Sequence, residues 1–454
     1  MGNSLPRQSV TLENLFPKPI TVDFCEPDLS SSGGALLLKA LDDSLGLTDR
    51  LAECLSDDRI QGRTQHCLLS LFRQRVFGLC CGYEDANDVA RYKDDRMQKL
   101  LCDKAPAGDD PLASQPTLSR FENRVSSIDL FRLALELFDL VAKRHRKRLG
   151  KRAKVVTIDL DATVNFAHGE QQLSFFNGFY DGRCYLPLMA FLSFNDEPDQ
   201  YVAATILRPG NAGNVGVLGT LRRLIARTRA AFPRSEIVVR LDGGFSNPEV
   251  LDLLDREKVQ YLVGYGANSV LSTHSACALH RARLAFERTD QTVPIFGSTR
   301  TYSAKTWSKR RRILFKAEVV QHDGREPRDN VRYVVTNMTG GAEQLYAQYV
   351  MRCDSENRIK EAKIDLNLDR VSCSQFNANQ FRVLLATVAY VLFQELRLRA
   401  KRTVAGRWQV DRLRQCLIQI AGRITSSARR FLVRLPRHHP WANLWTQLAQ
   451  ACSR

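Results

Sequence analysis

The sequence predicts an α/β protein in which a helical segment precedes the α/β core and a basic helical region follows it. Between residues 154 and 266, strand-like runs rich in β-branched residues alternate with amphipathic helices. Before this region, residues 66–83 and 127–148 carry apolar side chains at helical spacing. Beyond residue 395 the chain is strongly basic and is again predicted to be helical.

The α/β region has the predicted order β-β-β-α-β-α-β. Its strands are predicted at residues 154–164, 184–194, 201–209, 236–245 and 261–266. Its helices are predicted at residues 214–232, from an apolar stripe, and 246–258. Ser246 and Glu249 have the spacing of a capping box and Pro248 suits a first turn, so we expect Ser246 to cap the second helix.

Residues 270–340 have a different pattern. The runs FERT, RTYSAKTW, RRRILFKAEVV and NVRYVVTNM are short and strand-like, and DGREPRDN interrupts them. This pattern predicts a mostly β insertion. Residues 342–395 are again helical in pattern, and the basic helical tail follows them.

The charge balance indicates a polyanionic partner. Lys and Arg number 66 against 49 Asp and Glu, which gives a formal net charge of +17. Two basic runs concentrate the excess, KRHRKRLGKRAK at 143–154 and the tail at 397–454, where Asp411 is the one acid. A single basic run is often only a solvated face, but two favour nucleic acid once a matching chemistry is found.

Several other classes of protein are disfavoured. The 12 cysteines form no Cys-x-x-Cys pair, and His274, Cys277 and His280 offer a zinc ion three ligands with no evident fourth. Reduced thiols in a cytoplasmic protein are therefore expected. The first residues, MGNSLPRQSV, contain no apolar signal segment, and the longest apolar run, at 383–393, is too short to cross a bilayer. We expect no membrane association.

Two acids in the first predicted strand raise the question of function. Asp159 and Asp161 are two residues apart, so both side chains point to the same face of the strand. Asp242 ends the fourth strand and precedes two glycines, at the type of strand end where α/β sheets bind ligands. If these strands are neighbours, the carboxylates meet and need a divalent cation between them. Oxygen ligands alone favour Mg²⁺ or Mn²⁺.

A third group of polar residues lies at 349–363. Tyr349, Arg352, Glu356 and Lys363 fall within roughly 60° of one another if the segment is one α-helix. By itself such a face is more often a surface salt-bridge ladder than a site.

Taken together, these residues resemble the signature Tyr-x2-Arg-x3-Glu-x6-Lys of the DDE transposases of bacterial insertion sequences. More closely, the chain resembles insertion sequence family 1380, through stretches spread over about residues 65–385. They include RQRVFGLCCGYEDANDV, TLSRFEN, IDLDATV, HGEQQLSFFNGFYDGRCYLPL, LRPGNAGN, RLDGGFSNPEVLDLLDREKVQYLVG and ENRIKEAKIDLNLDRVSCSQFNANQFR. The first sixty residues and the tail match less distinctly.

The resemblance implies a ribonuclease-H-like catalytic core with a β insertion before the final glutamate helix. It makes Asp161, Asp242 and Glu356 the metal-binding catalytic triad for Mg²⁺, for which Mn²⁺ substitutes. Asp161 is preferred to Asp159 because Ala162 and Thr163 follow it. Three roles remain open for Asp159. It replaces Asp161 as the metal ligand, it supports the ligand without binding the metal, or it is a salt-bridged strand residue.

The remaining roles also follow from the resemblance. Tyr349, Arg352 and Lys363 would hold DNA phosphates, and Trp307 would contact a flipped base, unless it is simply a packed tryptophan. The implied partners are double-stranded DNA with terminal inverted repeats, target DNA and a second protomer in a synaptic homodimer, in the bacterial cytoplasm at the nucleoid.

The predicted organisation has six segments. They are an N-terminal segment (1–60), a helical DNA-end-binding domain (61–148), the first part of the core (149–269), the β-rich insertion (270–341), the final core helices (342–395) and the basic helical region (396–454). Two rival functions remain: an inactive or domesticated transposase that only binds DNA, and a structure-selective ribonuclease-H-like resolvase. A nucleotide-binding metabolic enzyme is disfavoured because no glycine-rich phosphate loop follows a strand.

Overall fold

The computed structural model describes residues 9–12, 18, 20–108, 110–300 and 302–452. The prediction about a signal segment falls mainly on residues 1–8, which lie outside the described residues. The strands are β1 (Ser9–Leu12), β2 (Ile20–Asp23), β3 (Leu29–Ser30), β4 (Val155–Ala162), β5 (Asn165–Phe166), β6 (Phe175–Asn177), β7 (Gly182–Tyr185), β8 (Leu188–Phe194), β9 (Tyr201–Ile206), β10 (Glu236–Leu241), β11 (Gln260–Tyr265), β12 (Ile295–Thr299), β13 (Arg312–Val320), β14 (Arg328–Thr336), β15 (Gly422–Ser426) and β16 (Phe431–Arg434).

Helices lie before, within and after the strand-rich part of the chain. They are α1 (Leu36–Leu45), α2 (Leu47–Ala52), α3 (Leu68–Cys81), α4 (Arg96–Leu101), α5 (Gln115–Asn123), α6 (Ser127–Leu149), α7 (Val217–Ala231), α8 (Pro248–Arg256), α9 (Ser269–Thr289), α10 (Ala342–Val350), α11 (Asp354–Leu366), α12 (Phe376–Arg399), α13 (Val410–Leu413) and α14 (Ala442–Cys452). Within the described ranges, no helix combines the length and apolar character that a membrane span requires.

A large mixed sheet of eight strands forms the centre of the molecule. Its order is β12-β13-β14-β11-β10-β4-β8-β9. β10 runs parallel to both β4 and β11, and the remaining neighbours are antiparallel. The predicted order β-β-β-α-β-α-β is confirmed by β4, β8, β9, α7, β10, α8 and β11. An α/β fold is therefore confirmed.

The helical layer packs around α12. The helix is buried along most of its length and contacts α1, α3 and α6 as well as strand β9. The apolar run at 383–393 forms its middle, so this run is a core helix, as its length predicted. The predicted helices at 66–83 and 127–148 are confirmed as α3 and α6.

Two local predictions in the core are wrong. The run 184–194 is not one strand, because Pro187 lies between β7 and β8 and lacks the amide that a continuous ladder needs. The cap of α8 is Asn247 rather than Ser246: the Asn247 side chain accepts a hydrogen bond from Val250 N at 2.8 Å, and Pro248 occupies the first turn. The Ser246 hydroxyl instead donates to Gly243 O.

The segment 270–341 is less purely β than predicted. FERT ends the long helix α9, and RTYSAKTW contains no described strand residue. The other two runs are confirmed as β13 and β14, and β14 pairs with β11, so these strands extend the central sheet. The pairing of β14 with β11 places both strands in the central sheet, and the local sequence pattern does not predict this pairing.

The tail is not uniformly helical, contrary to the prediction. β15 and β16 form a hairpin, and β15 also pairs with β3 from the start of the chain. Gly33 N donates to Ile420 O at 2.7 Å, and a Cβ on Gly34 would lie 1.9 Å from Leu417 O. The tail is thus packed against the N-terminal helices. The six predicted segment boundaries stay predictions.

Candidate active site

The register of β4 and β10 brings two acids to one edge of the sheet. Leu160 lies opposite Leu241, so Asp161 and Asp242 follow at the same end of two adjacent parallel strands. Asp161 is buried, and Asp242 accepts a hydrogen bond from Gly244 N at 2.8 Å as the chain turns away from the strand. The predicted neighbourhood of these strands is confirmed.

Helix α11 contributes the third acid. Asp161, Asp242 and Glu356 line a cleft of about 470 Å³, together with Lys360, Lys363 and Asp369. Glu356 lies in the first turn of α11 and is exposed to solvent. The tertiary structure therefore places the three predicted carboxylates around one open cavity.

Arg352 lies between these acids. Its guanidinium donates to Asp161 Oδ2 at 2.8 Å and to Glu356 Oε1 at 3.4 Å. Ser355 Oγ donates to the same oxygen of Asp161 at 2.9 Å. One cation thus bridges two of the three carboxylates.

Burial makes Asp161 hard to ionise. The pKa of its carboxyl is raised to about 6 by burial, which is the largest cause, and by the charges of Asp242 and Glu356, against the opposing effects of Arg352 and Ser355. The three carboxylates are not all within 4.8 Å of one another. Their donor set still fits Mg²⁺ or Mn²⁺, because the cleft offers carboxylate oxygens and has no His or Cys in its lining. A metal ion would compete with Arg352 and Ser355 for Oδ2 of Asp161.

The predicted helix at 349–363 is present, with one tighter turn inside it. Tyr349 lies on α10, Arg352 in the 3-10 turn Met351–Cys353, and Glu356 and Lys363 on α11, with no gap between these elements. Arg352, Glu356 and Lys363 accordingly lie at the same cleft. Lys363 Nζ donates to Val164 O beside the cleft, and burial lowers the pKa of Lys363.

Tyr349 reaches the same strand end by a close approach. A Cβ on Gly264 would lie 2.5 Å from the Tyr349 hydroxyl and 2.8 Å from Gly243 N. Only glycine therefore lets the phenol and the turn after Asp242 approach β11 so closely. Burial raises the pKa of Tyr349, and the neighbouring Arg352 opposes this shift.

Asp159 has a different environment from Asp161. It is fully buried, and Arg240 binds it through two hydrogen bonds of 2.6 and 2.7 Å. The same guanidinium donates to Gln348 O at 2.8 Å, near the end of α10. Burial raises the pKa of Asp159, and Arg240 opposes the shift. Asp159 therefore joins β4, β10 and α10, and it does not line the cleft.

A buried glutamate fixes the opposite face of α11. Glu361 accepts hydrogen bonds from Tyr390 Oη at 2.6 Å, from Val410 N at 2.8 Å and from Arg397. These partners belong to α12 and to the start of α13. The helix that carries Glu356 is thus held against both the core and the tail.

Trp307 is packed inside the protein. It is 8% exposed, and its ring lies 5.2 Å from Tyr265 and 5.3 Å from Tyr302. The Arg311 guanidinium covers the ring at 5.2 Å. The alternative interpretation, a packed tryptophan, describes this environment, and a contact with a flipped base would require the aromatic cluster to open.

Three further residues belong to the site although the predicted set does not contain them: Ser355, Lys360 and Asp369. Lys360 follows Glu356 by one helical turn, and this spacing is the sequence signal that places it beside the carboxylate. Arg240 gave no local signal, because its partner Asp159 is 81 positions away.

A second acidic group lies in the helical layer. Asp42, Asp43 and Asp49 each place a carboxylate oxygen within 4.8 Å of the others, a geometry that could hold a metal ion. Arg73 already pairs with Asp49 at 2.7 Å and with Asp42 at 3.5 Å, and Lys39 pairs with Asp43 at 2.6 Å. We therefore interpret this group as an ion-pair network between helices.

Comparisons with known proteins identify a family and similar solved structures. The family model described as transposase DDE domain group 1 matches residues 12–454. A search of curated proteins finds no match. The chain is also similar to the piggyBac transposase in a cryo-EM structure of its synaptic complex with hairpin DNA, at 10% identity and a TM-score of 0.37 over 79% of this chain and 74% of that chain.

Proposed function

The chain belongs to the transposase DDE domain group 1 family, and from this premise we propose that it moves its own insertion sequence by cut-and-paste transposition. The chemistry would be metal-dependent phosphodiester hydrolysis at terminal inverted repeats, followed by strand transfer. The observation that carries the proposal is the cleft in which Asp161, Asp242 and Glu356 meet. The closer assignment to insertion sequence family 1380 rests on the motifs of the sequence.

The sheet topology supports a ribonuclease-H-like core. Numbered along the chain, β4, β8, β9, β10 and β11 have the spatial order 3-2-1-4-5 in the central sheet. The first three strands are antiparallel and the next two run parallel to the first. Asp161 lies on the first of these strands, Asp242 at the end of the fourth, and Glu356 on a later helix.

In this proposal Asp161, Asp242 and Glu356 would hold Mg²⁺, or Mn²⁺ in its place. The bound cations supply charge stabilisation of the reacting phosphate and a lowered pKa of the attacking water. The carboxylates would then be fully ionised, because a bound divalent cation favours the charged form of each.

The cationic side chains of the site would bind the DNA backbone. Arg352 exchanges its bonds to Asp161 for a phosphate, to which its planar guanidinium presents two parallel donors. Lys360 and Lys363 line the same cleft and would neutralise the flanking phosphates. Tyr349 lies beside the turn after Asp242, where its hydroxyl would donate to a phosphate oxygen.

The reaction would need no covalent enzyme–DNA bond. Water attacks the phosphorus at the end of the element, and the bond to the 3′ oxygen breaks and leaves a 3′-hydroxyl. That hydroxyl then attacks a target phosphodiester, joins the element to target DNA and releases the 3′ oxygen of the target strand. Both ends must be held together, so a homodimer on DNA is the expected assembly.

The experiment starts from the DNA that flanks the gene. Inverted repeats found there supply a labelled duplex, and cleavage is followed with Mg²⁺ or Mn²⁺ and with EDTA. Glu356→Gln should abolish cleavage and keep binding of the duplex, whereas Glu343→Gln, a change of an exposed acid on α10, should cleave like wild type.

Other outcomes select the rival functions. Cleavage unchanged in Glu356→Gln would remove the catalytic assignment. Wild-type protein that binds the repeats without cutting them would favour the inactive DNA-binding protein. Cutting of branched DNA without terminal repeats would favour a resolvase.

A further inference from the structure

A second cavity lies between the helical layer and the β9 edge of the central sheet. It has a volume of about 630 Å³ and is bordered by the α1–α2 turn, the end of α6, the start of β9 and the last turns of α12. Cavities of this size are typical of small-molecule sites. We call this cavity the basic pocket, because its described lining residues include one acid, Glu395, and six basic side chains: Arg50, Lys143, Arg144, Lys147, Arg148 and Arg399.

Two lysines of the basic pocket have no counter-ion. Lys143 and Lys147 lie one turn apart on α6 and are exposed. Neither forms an ion pair or a side-chain hydrogen bond with another residue of the described ranges. The arginines are paired with glutamates, as Arg50–Glu136, Arg144–Glu395, Arg148–Glu197 and Arg399–Glu395. Six cations are thus matched by three carboxylates, and the excess positive charge favours an anionic ligand.

Tyr201 adds an unused hydrogen-bond donor to the basic pocket. The residue lines the pocket and is 6% exposed, and its hydroxyl is buried without a partner among the described residues. Burial raises the pKa of Tyr201, so the hydroxyl stays protonated. A buried polar group without a partner costs free energy, which a ligand that accepts from the hydroxyl would recover.

His145 adds a second donor beside Tyr201. The ring of His145 is buried and lies 4.0 Å from the Tyr201 ring. Burial, together with the charges of Arg148 and Arg144, lowers the pKa of His145, so the imidazole is neutral. Its Nδ1 accepts a hydrogen bond from Arg148 Nε at 3.1 Å. The single imidazole proton therefore lies on Nε2, which can donate to a ligand.

The rest of the wall is apolar, which selects an organic anion. Its side chains are Leu45, Leu47, Leu140, Val141, Val202 and Val391. An inorganic ion would leave this surface in contact with water, whereas the organic part of a larger ligand would cover it. A backbone phosphate of duplex DNA would meet the exposed lysines and would not reach the buried hydroxyl of Tyr201.

The basic pocket is separate from the carboxylate cleft. The described residues that line the two cavities do not overlap. Asp161 on β4 pairs with Met189 on β8, which pairs with Thr205 on β9. Tyr201 precedes Thr205 by four residues, which is about 13 Å along the strand. A ligand in the basic pocket would therefore not contact the three carboxylates of the cleft.

We propose that the basic pocket binds a nucleotide-sized organic phosphate. The phosphate contacts Lys143, Lys147 and the Tyr201 hydroxyl, and the organic part lies against the apolar wall. Such a ligand joins α6 and the α1–α2 turn to β9 and α12, so its binding stabilises the native state. The inference goes beyond the proposed function and does not depend on it, because it uses no residue of the cleft.

The test is isothermal titration calorimetry of the full chain in EDTA, without DNA, with AMP, adenosine and inorganic phosphate as probes. AMP should bind more tightly than inorganic phosphate, and adenosine should bind at least about tenfold more weakly than AMP, because it lacks the charged acceptor. AMP should also raise the Tm of the protein.

Two variants test the contacts. Lys143→Gln/Lys147→Gln should weaken AMP binding by about tenfold or more, because two charge-assisted contacts are lost. Tyr201→Phe should weaken it by about threefold and should not lower the Tm without AMP, since the hydroxyl that it removes has no partner in the protein.

A matched control removes the same charge from the same basic run. Lys151 and Lys154 are exposed and lie outside the lining of the basic pocket. Lys151→Gln/Lys154→Gln should bind AMP with the affinity of wild type. All four lysines are on the surface, so loss of the fold is not expected to interfere.

Several results would overturn the inference. AMP that does not bind wild type with a Kd below about 1 mM would exclude a phosphate site, and adenosine that binds as tightly as AMP would exclude a role for the phosphate. Equal losses in the two double lysine variants would show that only net charge matters. Unchanged AMP affinity in Tyr201→Phe would remove the buried contact. Duplex DNA binding that depends on Lys143 and Lys147, with AMP binding that does not, would assign these lysines to a DNA surface.

Discussion

Replacing Asp159 with alanine would leave the Arg240 guanidinium charged and buried, without its carboxylate partner. In the native structure two hydrogen bonds of 2.6 and 2.7 Å join the pair, and neither side chain reaches solvent. Removing one member of such a pair costs about 3–5 kcal/mol of folding free energy. Gln348 O would remain the acceptor for Arg240, at 2.8 Å, and does not neutralise the charge. We therefore expect Asp159→Ala to be strongly destabilising.

The assay is urea unfolding of wild type and variants in EDTA, followed by a double-mutant cycle. Asp159→Asn should lose less stability than Asp159→Ala, because an amide oxygen still accepts from Arg240. Asp159→Ala/Arg240→Met should recover most of the loss, since the unpaired charge is gone. Asp161→Asn is the neighbouring control and should not lose stability, because its carboxyl is costly to ionise in the fold.

Two results would refute this reasoning. A loss of less than about 1 kcal/mol in Asp159→Ala would show that the pair is not an essential part of the core. The second refuting result concerns metal binding. If Asp159→Ala folds but no longer binds Mn²⁺, while Asp161→Asn still binds it, then Asp159 rather than Asp161 is the metal ligand.

Three further predictions concern the site and its surroundings. Arg352→Gln should raise Mn²⁺ affinity without DNA by about tenfold or more, since a cation that bonds Asp161 and Glu356 is removed; isothermal titration calorimetry measures this, and unchanged affinity would contradict it. The pKa of Asp161 is about 6 in the fold and therefore above its ordinary value, so the metal-free protein should lose stability as pH rises from about 4 to about 6 and then level off. Thermal unfolding in EDTA should show this loss, and Asp161→Asn should reduce it. Trp307→Ala should cost about 3–5 kcal/mol of stability, measured by urea unfolding, through the cavity it leaves beside Tyr265.

The order of elements in the core could be predicted because its signals are local. β-branched runs and apolar stripes predicted β4, β8, β9, α7, β10, α8 and β11, apart from the break at Pro187. Alternation along a strand also placed Asp159 and Asp161 on one face. The convergence of Asp161 and Asp242 needed only one further assumption, that β4 and β10 are neighbours, and the register confirms it.

Other features depend on partners that are distant in sequence. The C-terminal hairpin was missed because β15 pairs with β3, almost four hundred residues earlier. FERT has a strand-like composition, but α9 continues through it. Tyr349 and Glu356 have helical spacing, and the chain between them stays helical but tightens into a 3-10 turn at Met351–Cys353.

By itself the sequence determined which acids lie in or at the ends of strands, because side-chain alternation and apolar periodicity are properties of the local chain. The tertiary structure alone decided that Asp159 is buried against Arg240 and that Asp161 faces the cleft with Arg352. Two carboxylates on one face of one strand acquire different environments because β10, α10 and α11 cover that face at different depths. Burial and charge pairing are set by those distant elements, and the local pattern does not specify them.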